Sequence, residues 1–531
     1  TLTALGSGVA GAFLMHTYVF NGYPRRWAVA YGIFAFLYIC GSRYFARLFL
    51  VDRRKSERRE KVIIYGAGET GVHLARSLRE GREYLPIAML DDNPVMQGRK
   101  VDGLEVYRPE TVKALCREFS VGTLLLAMPS ANLRHRRKVL EYLSEFPVRV
   151  QTVPRYGDIV SGRASVDELS DVAVNDLLGR DPVPPVPELL RTCIAGKSVL
   201  VTGAGGSIGS ELCRQILRLD PTRLVLQELS ETALYQICNE MQAIRDDKAL
   251  DCEIVPILGS VTQQRKLQRV MESFGVHTVY HAAAYKHVPL VEHNLFEGIR
   301  NNVFGTLRAA RAAIAAQVET FVLISTDKAV NPTSVMGASK RLAELVLQAF
   351  AKDGSTTRFC MVRFGNVLES SGSVVPLFRE QIRKGGPVTV THRDIIRYFM
   401  TIPEAAELVI QAGAMAEGGD VFVLDMGEPV KVKDLAYRMI NLMGLSVLDH
   451  DNPDGDIEVK YIGLRPAEKL YEELLIGSNV SGTKHPRICR ADEDYLPMET
   501  IEKTAQQLDA AARDFDFTRA RSLLASAIPE Y

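Results

Sequence analysis

The first 24 residues contain no aspartate, glutamate, lysine or arginine, which excludes an ordinary solvated surface segment. The whole chain has no excess of either charge: 64 Lys and Arg stand against 64 Asp and Glu in 531 residues. Nucleic-acid binding driven by bulk positive charge is thereby excluded. Eight cysteines are scattered with no CxxC and no paired histidine spacing. That pattern excludes a structural zinc or other metal site and a disulfide framework, and predicts reduced thiols. With 47% hydrophobic and 24% charged residues, a disordered or collagen-like chain is also excluded. The length allows about three domains, each able to bury its own core.

The uncharged run from Thr1 to Pro24 is long enough, at ~1.5 Å per helical residue, to cross a hydrocarbon core of ~30 Å. A second apolar run starts at Trp27, and Arg43 and Arg47 fall near its end, where cationic side chains reach headgroups. Residues 1–52 are therefore expected to form transmembrane helices in a lipid bilayer. From Arg43 to Lys61 eight basic residues face only Asp52, Glu57 and Glu60. The basic juxtamembrane segment 53–60 marks the cytosolic side, so everything after Lys61 is expected there. Because the chain begins with Thr inside an apolar run, further spans are expected to precede it.

Two glycine loops follow, each in strand–turn–helix context. Lys61–Tyr65 reads as a buried strand, Gly66, Gly68 and Gly71 form GxGxxG, and Asp91-Asp92 come about 20 residues later. This is the fingerprint of a Rossmann dinucleotide site, so residues 61–180 are expected to form a nucleotide-binding or regulatory domain. Its loop is open to two readings, occupied or empty. Asp181 to Pro187 is proline-rich, and residues 181–196 read as a stiff linker.

The second loop, after strand Ser198–Val201, runs Gly203, Gly205, Gly206, Ser207, Ile208, Gly209. Gly203 allows the tight turn, Gly206 the approach of a diphosphate, and Gly209 close helix–strand packing. Strand Leu224–Gln227 ends at Glu228, a carboxylate able to accept both ribose hydroxyls and to repel a 2′-phosphate. With no arginine among residues 228–231, NAD is expected rather than NADP. Residues 197–531 then form the second doubly wound α/β domain.

Five segments complete the pattern: HAAAYKHVPLVE from His281, NNVFGT from Asn301, STDKAVNPTSVMGASKR from Ser325, RFGNVLESSGSVVPLF from Arg363, and GLRPAEKLYEE from Gly463. With them the chain resembles an extended short-chain dehydrogenase/reductase, and more narrowly the membrane-associated UDP-N-acetylglucosamine 4,6-dehydratases of bacterial polysaccharide and glycan synthesis. The resemblance spans essentially the whole chain. It implies a C-terminal substrate subdomain, a UDP-sugar substrate, a homo-oligomer paired through helices, and a place at the bacterial inner (cytoplasmic) membrane facing the cytosol.

Such a lyase moves hydride from C4 to NAD, removes the C5 proton, expels the C6 hydroxyl and returns hydride to C6. An acid and a base must therefore face each other across C5–C6. By the resemblance, Asp327 protonates the departing hydroxyl, Lys328 takes the C5 proton and Thr326 hydrogen-bonds the C4 oxygen. Lys328 needs desolvation or a cationic neighbour to lose its own proton, and Lys340 could be that neighbour. Related enzymes carry Tyr-x-x-x-Lys. Here the pair is Met336 and Lys340, and Met336 can exchange no proton. The base for the C4 hydroxyl stays open among Thr326, Asp327 and a water held by Lys340, while Lys340 is expected to hold the nicotinamide ribose. Ser260 stands where relatives often have Asp against the adenine.

For the substrate, Arg397 and Arg465 are expected near the diphosphate, accompanied by Asn366 and Glu468. Lys286 and His287 are expected to line the site, with no catalytic role for His287. The segment Glu499–Tyr531 reads as a surface helix. Two alternatives remain: a nucleotide-sugar epimerase on the same fold, which needs neither Asp327 nor Lys328 as acid and base, and a non-catalytic nucleotide-sugar sensor or scaffold, which Met336 would suit.

Overall fold

The computed structural model describes residues 33–45, 59–81, 83–128, 131–153, 170–172, 183–370, 372–474 and 480–531. The expected first span, residues 1–24, and most of the basic segment lie outside the described residues. Of the second span only residues 33–45 are described; they are helical, with Phe34, Tyr38 and Tyr44 exposed. Among the described residues no helix is long and apolar enough to cross a membrane. The chain divides into two compact units, with boundaries at residues 130/131, 147/148 and 171/172.

In the first unit, Val62 to Tyr65 form a fully buried run, as a strand covered on both faces requires. This strand β1 (Glu60–Tyr65) pairs in parallel with β2 (Tyr84–Leu90) and β5 (Thr123–Leu126). With β3 (Lys100–Val101), β4 (Leu104–Tyr107), β6 (Arg149–Thr152) and β7 (Ser170–Asp171) the sheet runs β3-β4-β2-β1-β5-β6-β7. Gly71 is demanded by packing: a Cβ there would stand 1.9 Å from the Gly66 carbonyl oxygen. Asp91 Oδ2 accepts the Ala67 N–H at 2.7 Å, tying the end of β2 to the loop.

The second unit is built on β8 (Ser198–Thr202), every residue of which is buried. β9 (Arg223–Glu228) and β10 (Glu253–Leu258) lie on one side of it. On the other side come β11 (Thr278–His281), β12 (Thr320–Ile324) and β13 (Arg358–Arg363). All these pairings are parallel, as is that of β13 with Asp420–Leu424. Ile488–Ala491 and Val480–Gly482 add two antiparallel strands at the edge. The chain reverses direction of travel between β8 and β11, and at this switch point the carboxyl ends of neighbouring strands open a crevice.

Two expectations change here. Pro187, placed in the linker, opens the helix Pro187–Thr192, because a proline lacks only an N–H that the first helical turn cannot use. The carboxyl tail is two helices, Met498–Arg513 and Phe517–Ala527, interrupted where Phe515 takes φ +54°. Ile501, Leu508 and Leu524 are buried beside Leu342 and Leu345 of the helix Val335–Lys352. The tail is thus part of the core.

Candidate active site

The glycine loop leaves β8 and turns at Gly203, whose φ is +67° and whose missing Cβ would stand 2.8 Å from Ala283. Gly206 caps the helix Ser207–Leu217, whose first N–H groups and positive end favour an anion. A Cβ on Gly209 would stand 2.0 Å from the Gly203 carbonyl oxygen, so the helix can pack on the turn only with glycine there. Glu228, at the end of β9, accepts the Gly205 N–H through Oε2 at 3.0 Å and the Leu229 N–H through Oε1 at 2.8 Å. Ser260 is occupied by Thr262, which lies 2.8 Å away, hydroxyl to hydroxyl.

A cavity of about 870 Å³ begins at Gly206, Ser207, Ile208 and Gly209 and runs to Arg465 and Glu468. Thr326, Lys328, Met336, Lys340 and Asn366 lie on its wall, as do Lys286, His287 and Arg397. Thus the glycine loop, the ends of β11, β12 and β13 and the segment Gly463–Glu473 meet at one space. Gly203, Gly205, Glu228 and Ser260 are not part of that wall.

The end of β12 carries the chemistry. Thr326 caps the short turn Asp327–Ala329 by accepting the Lys328 N–H, and its hydroxyl donates to Asp327 Oδ1 at 2.8 Å. Lys328 Nζ donates to the same Oδ1 at 3.0 Å and to Asn366 Oδ1 at 3.3 Å. Asp327 is fully buried and stands behind the wall. Its Oδ2 has no hydrogen-bond partner among the described residues, and a Cβ on Gly365 would lie 3.2 Å from it.

The electrostatics of Lys328 correct one expectation. Burial pushes its pKa down, but Asp327 and then Glu472, 3.3 Å away, outweigh that and leave it above the ordinary lysine value. The cation acting on it is Arg397, not Lys340. Lys340 behaves differently. Its ammonium donates to the Ile324 carbonyl at 2.7 Å, and burial draws its pKa down to about 8 against the opposing charge of Glu344. Met336 is buried one turn earlier on the same helix.

Several supporting groups have no local signature. Ser325 donates to Glu344 at 2.6 Å, and Glu344 is ion-paired to Arg363 and Arg341, which also pair with Glu493. Burial pushes the Glu344 carboxyl up, yet the two guanidinium groups hold it at about 2. Asn302, in a π-helical turn, accepts the Tyr285 N–H at 2.8 Å and donates to Ser339, pinning the loop after β11 to the long helix. His281 bridges Thr202 and Thr306, and burial draws its pKa down to about 3. Burial also lowers Lys286 and His287.

On the substrate side Arg397 is committed within the protein. It donates to the carbonyls of Ile396 and Lys469 and to Glu468 Oε1 at 3.3 Å. Glu468 in turn accepts the Arg465 N–H at 3.0 Å. Arg397 therefore shapes the loop, and Arg465 is the exposed guanidinium at the cavity's rim. Among the described residues no cluster of metal-ligating side chains occurs.

Residues 199–493 match the family described as "Polysaccharide biosynthesis protein", and residues 2–154 match one described as "CoA-binding domain". The chain is 43% identical to the capsular polysaccharide biosynthesis protein CapD of Staphylococcus aureus, over 89% of its own length and 78% of the relative's. It is 40% identical to the probable polysaccharide biosynthesis protein EpsC of Bacillus subtilis, over 90% and 77% respectively. A UDP-glucose 4-epimerase of Rickettsia massiliae is 31% identical, over 52% of this chain and 77% of that enzyme.

Proposed function

The chain belongs to the polysaccharide biosynthesis protein family, and from that premise we propose that it is an NAD-dependent 4,6-dehydratase of a UDP-N-acetylhexosamine, most simply UDP-N-acetylglucosamine. The observation that carries the reading is the Thr326–Asp327–Lys328 turn, whose Thr326 and Lys328 lie on the wall of the same cavity that the glycine loop and Lys340 line. An enzyme acting on a sugar nucleotide needs a dinucleotide site and an acid–base pair at one space, and this arrangement supports both.

The residues present fit NAD. The open space that a Cβ on Gly206 would enter, the positive end of the helix Ser207–Leu217, Glu228 for the ribose hydroxyls and Lys340 would hold it. When bound it supplies the acceptor for the C4 hydride and the donor that returns hydride to C6. The chain's own residues move the protons. Thr326 hydrogen-bonds the C4 oxygen and passes its proton to the Asp327 carboxylate as hydride leaves C4. Lys328, as the free amine, takes the C5 proton made acidic by the C4 ketone, and Asp327 gives the proton it has gained to the departing C6 hydroxyl. Asp327 Oδ2 faces the side-chain-free position 365, which supports its reaching the cavity from behind the wall. Arg465 meets the diphosphate, and Arg397 keeps the loop of Arg465 and Glu468 in place.

The uncharged residues 1–24, the exposed aromatics of residues 33–45 and the basic residues after them support a chain anchored in a bacterial cytoplasmic membrane with its enzyme on the cytosolic side.

The test is incubation of the detergent-solubilised protein with UDP-N-acetylglucosamine and mass spectrometry of the nucleotide sugar. Loss of one water is expected. An isomer of unchanged mass would make the protein an epimerase, as one relative is named, and unaltered but bound sugar nucleotide would make it a sensor. Lys328→Met should abolish water loss with NAD still bound; full activity in that variant would remove Lys328 as the base.

A further inference from the structure

Lys328 has to be a free amine to take a proton from C5, yet it sits between two carboxylates. One of them, Asp327, belongs to its own turn. The other, Glu472, arrives from the far end of the Gly463–Glu473 segment and has no place in the chemistry described so far. We infer that Glu472 is a positioning residue of the dehydratase site: it holds Lys328 in its protonated form beside Asp327 and Asn366, and so sets the pH at which the base becomes competent. The inference rests on the reading of Lys328 as the C5 base.

The geometry carries this. The Glu472 side chain is 3% exposed, so it acts through Lys328 and not on the substrate. Its Oε1 lies 3.3 Å from Lys328 Nζ and 3.6 Å from Arg397 Nε, and its buried Oε2 has no hydrogen-bond partner among the described residues. A buried carboxylate with one unsatisfied oxygen is costly unless cations compensate it, and these two cations converge on the other oxygen. The charged groups against Lys328 are therefore Asp327 from its own turn, Glu472 from the segment after Arg465 and Arg397 from the strand Ile396–Arg397. Two negative charges favour the ammonium and one positive charge opposes it. Without Glu472 the balance becomes one against one, and Arg397, left with Glu468 as its carboxylate partner, weighs more heavily on Lys328. Its neighbour Glu473 takes no part, being bound to Asn331 and Lys469.

The experiment is competitive acetylation of the full-length, detergent-solubilised protein across pH, with Lys328 read by peptide mass spectrometry, so that its proton affinity is measured without turnover. Glu472→Gln keeps the shape and removes the charge; Glu472→Asp keeps the charge; Glu473→Gln is the control, and all are first matched to the parent by thermal melting. In Glu472→Gln the Lys328 midpoint should fall by about one pH unit, with the acid limb of kcat for water loss moving down in parallel and KM little changed. Glu472→Asp should restore most of both shifts and Glu473→Gln should cause neither. An unmoved Lys328 midpoint in a folded Glu472→Gln protein would overturn the inference. A midpoint that moves while the parent releases no water would leave Glu472's hold on Lys328 standing and reject the dehydratase reading instead.

Discussion

Glu344 and Arg363, both fully buried, meet through two parallel hydrogen bonds, Nε to Oε1 at 2.8 Å and Nη2 to Oε2 at 2.5 Å. The pair fastens the long helix to β13, and through Ser325 it reaches the turn that carries Thr326, Asp327 and Lys328. Arg341 and Glu493 complete a buried group of four charges, two of each sign.

Removing one member leaves a charge in the core without its counter-charge. Glu344→Gln is expected to cost ~3–5 kcal/mol, measured as a drop in the urea midpoint of unfolding. A loss below ~1 kcal/mol would mean that water or a shifted side chain compensates Arg363.

Two glycines of the same loop should respond differently to one added methyl. At Gly209 the new Cβ would meet the Gly203 carbonyl at 2.0 Å, and backbone must move. Gly209→Ala should therefore lower the melting temperature along with NAD affinity, at a cost of ~1–3 kcal/mol or more. At Gly206 the nearest atom is 3.3 Å away and φ is −74°. Gly206→Ala should keep the fold within ~1 kcal/mol and chiefly weaken NAD, because the methyl stands where the diphosphate approaches. Equal thermal shifts in the two variants would count against this assignment of roles.

Acid should destabilise the protein in two overlapping windows. His281 has its pKa lowered from 6.5 to about 3, so between those values the unfolded chain binds a proton that the folded chain refuses, and stability falls as pH falls. Glu344 has its pKa lowered from 4.5 to about 2, and its contribution is complete above 4.5 and lost on descent through that range. Each group adds a slope of up to ~1.4 kcal/mol per pH unit inside its window. Between pH 6.5 and 4.5 only His281 of this pair acts, so urea midpoints of a His281→Gln variant should be flatter there than those of the parent. Parallel curves would show that other groups govern the loss.

What could be read from the residues was whatever chemistry is local in the chain. The turn at Gly203, the cap at Gly206, the carboxylate at Glu228 and the sequence Thr326-Asp327-Lys328 each depend on neighbours a few positions apart, and backbone geometry makes such spacing legible. Met336 was legible in the same way, as a side chain that can carry no proton. The linker and the tail were misjudged for the complementary reason. A proline inside a proline-rich stretch can start a helix, and an amphipathic tail reads as surface until a partner helix is found for its apolar side.

No role could be read for Glu472, Glu344, Glu493 or Asn302, because each acts on a segment remote from it in the chain. Arg397 was legible as a site residue, but its bonds to the loop of Glu468 and Lys469 were not. By itself the sequence determined two glycine loops on parallel sheets, the candidate acid and base, and the absence of the usual tyrosine. Only the tertiary structure decided which charges surround Lys328 and Lys340. One is held above its ordinary pKa and the other drawn to about 8. A side chain's proton affinity sums burial and every nearby charge, and those charges come from segments that only folding brings together.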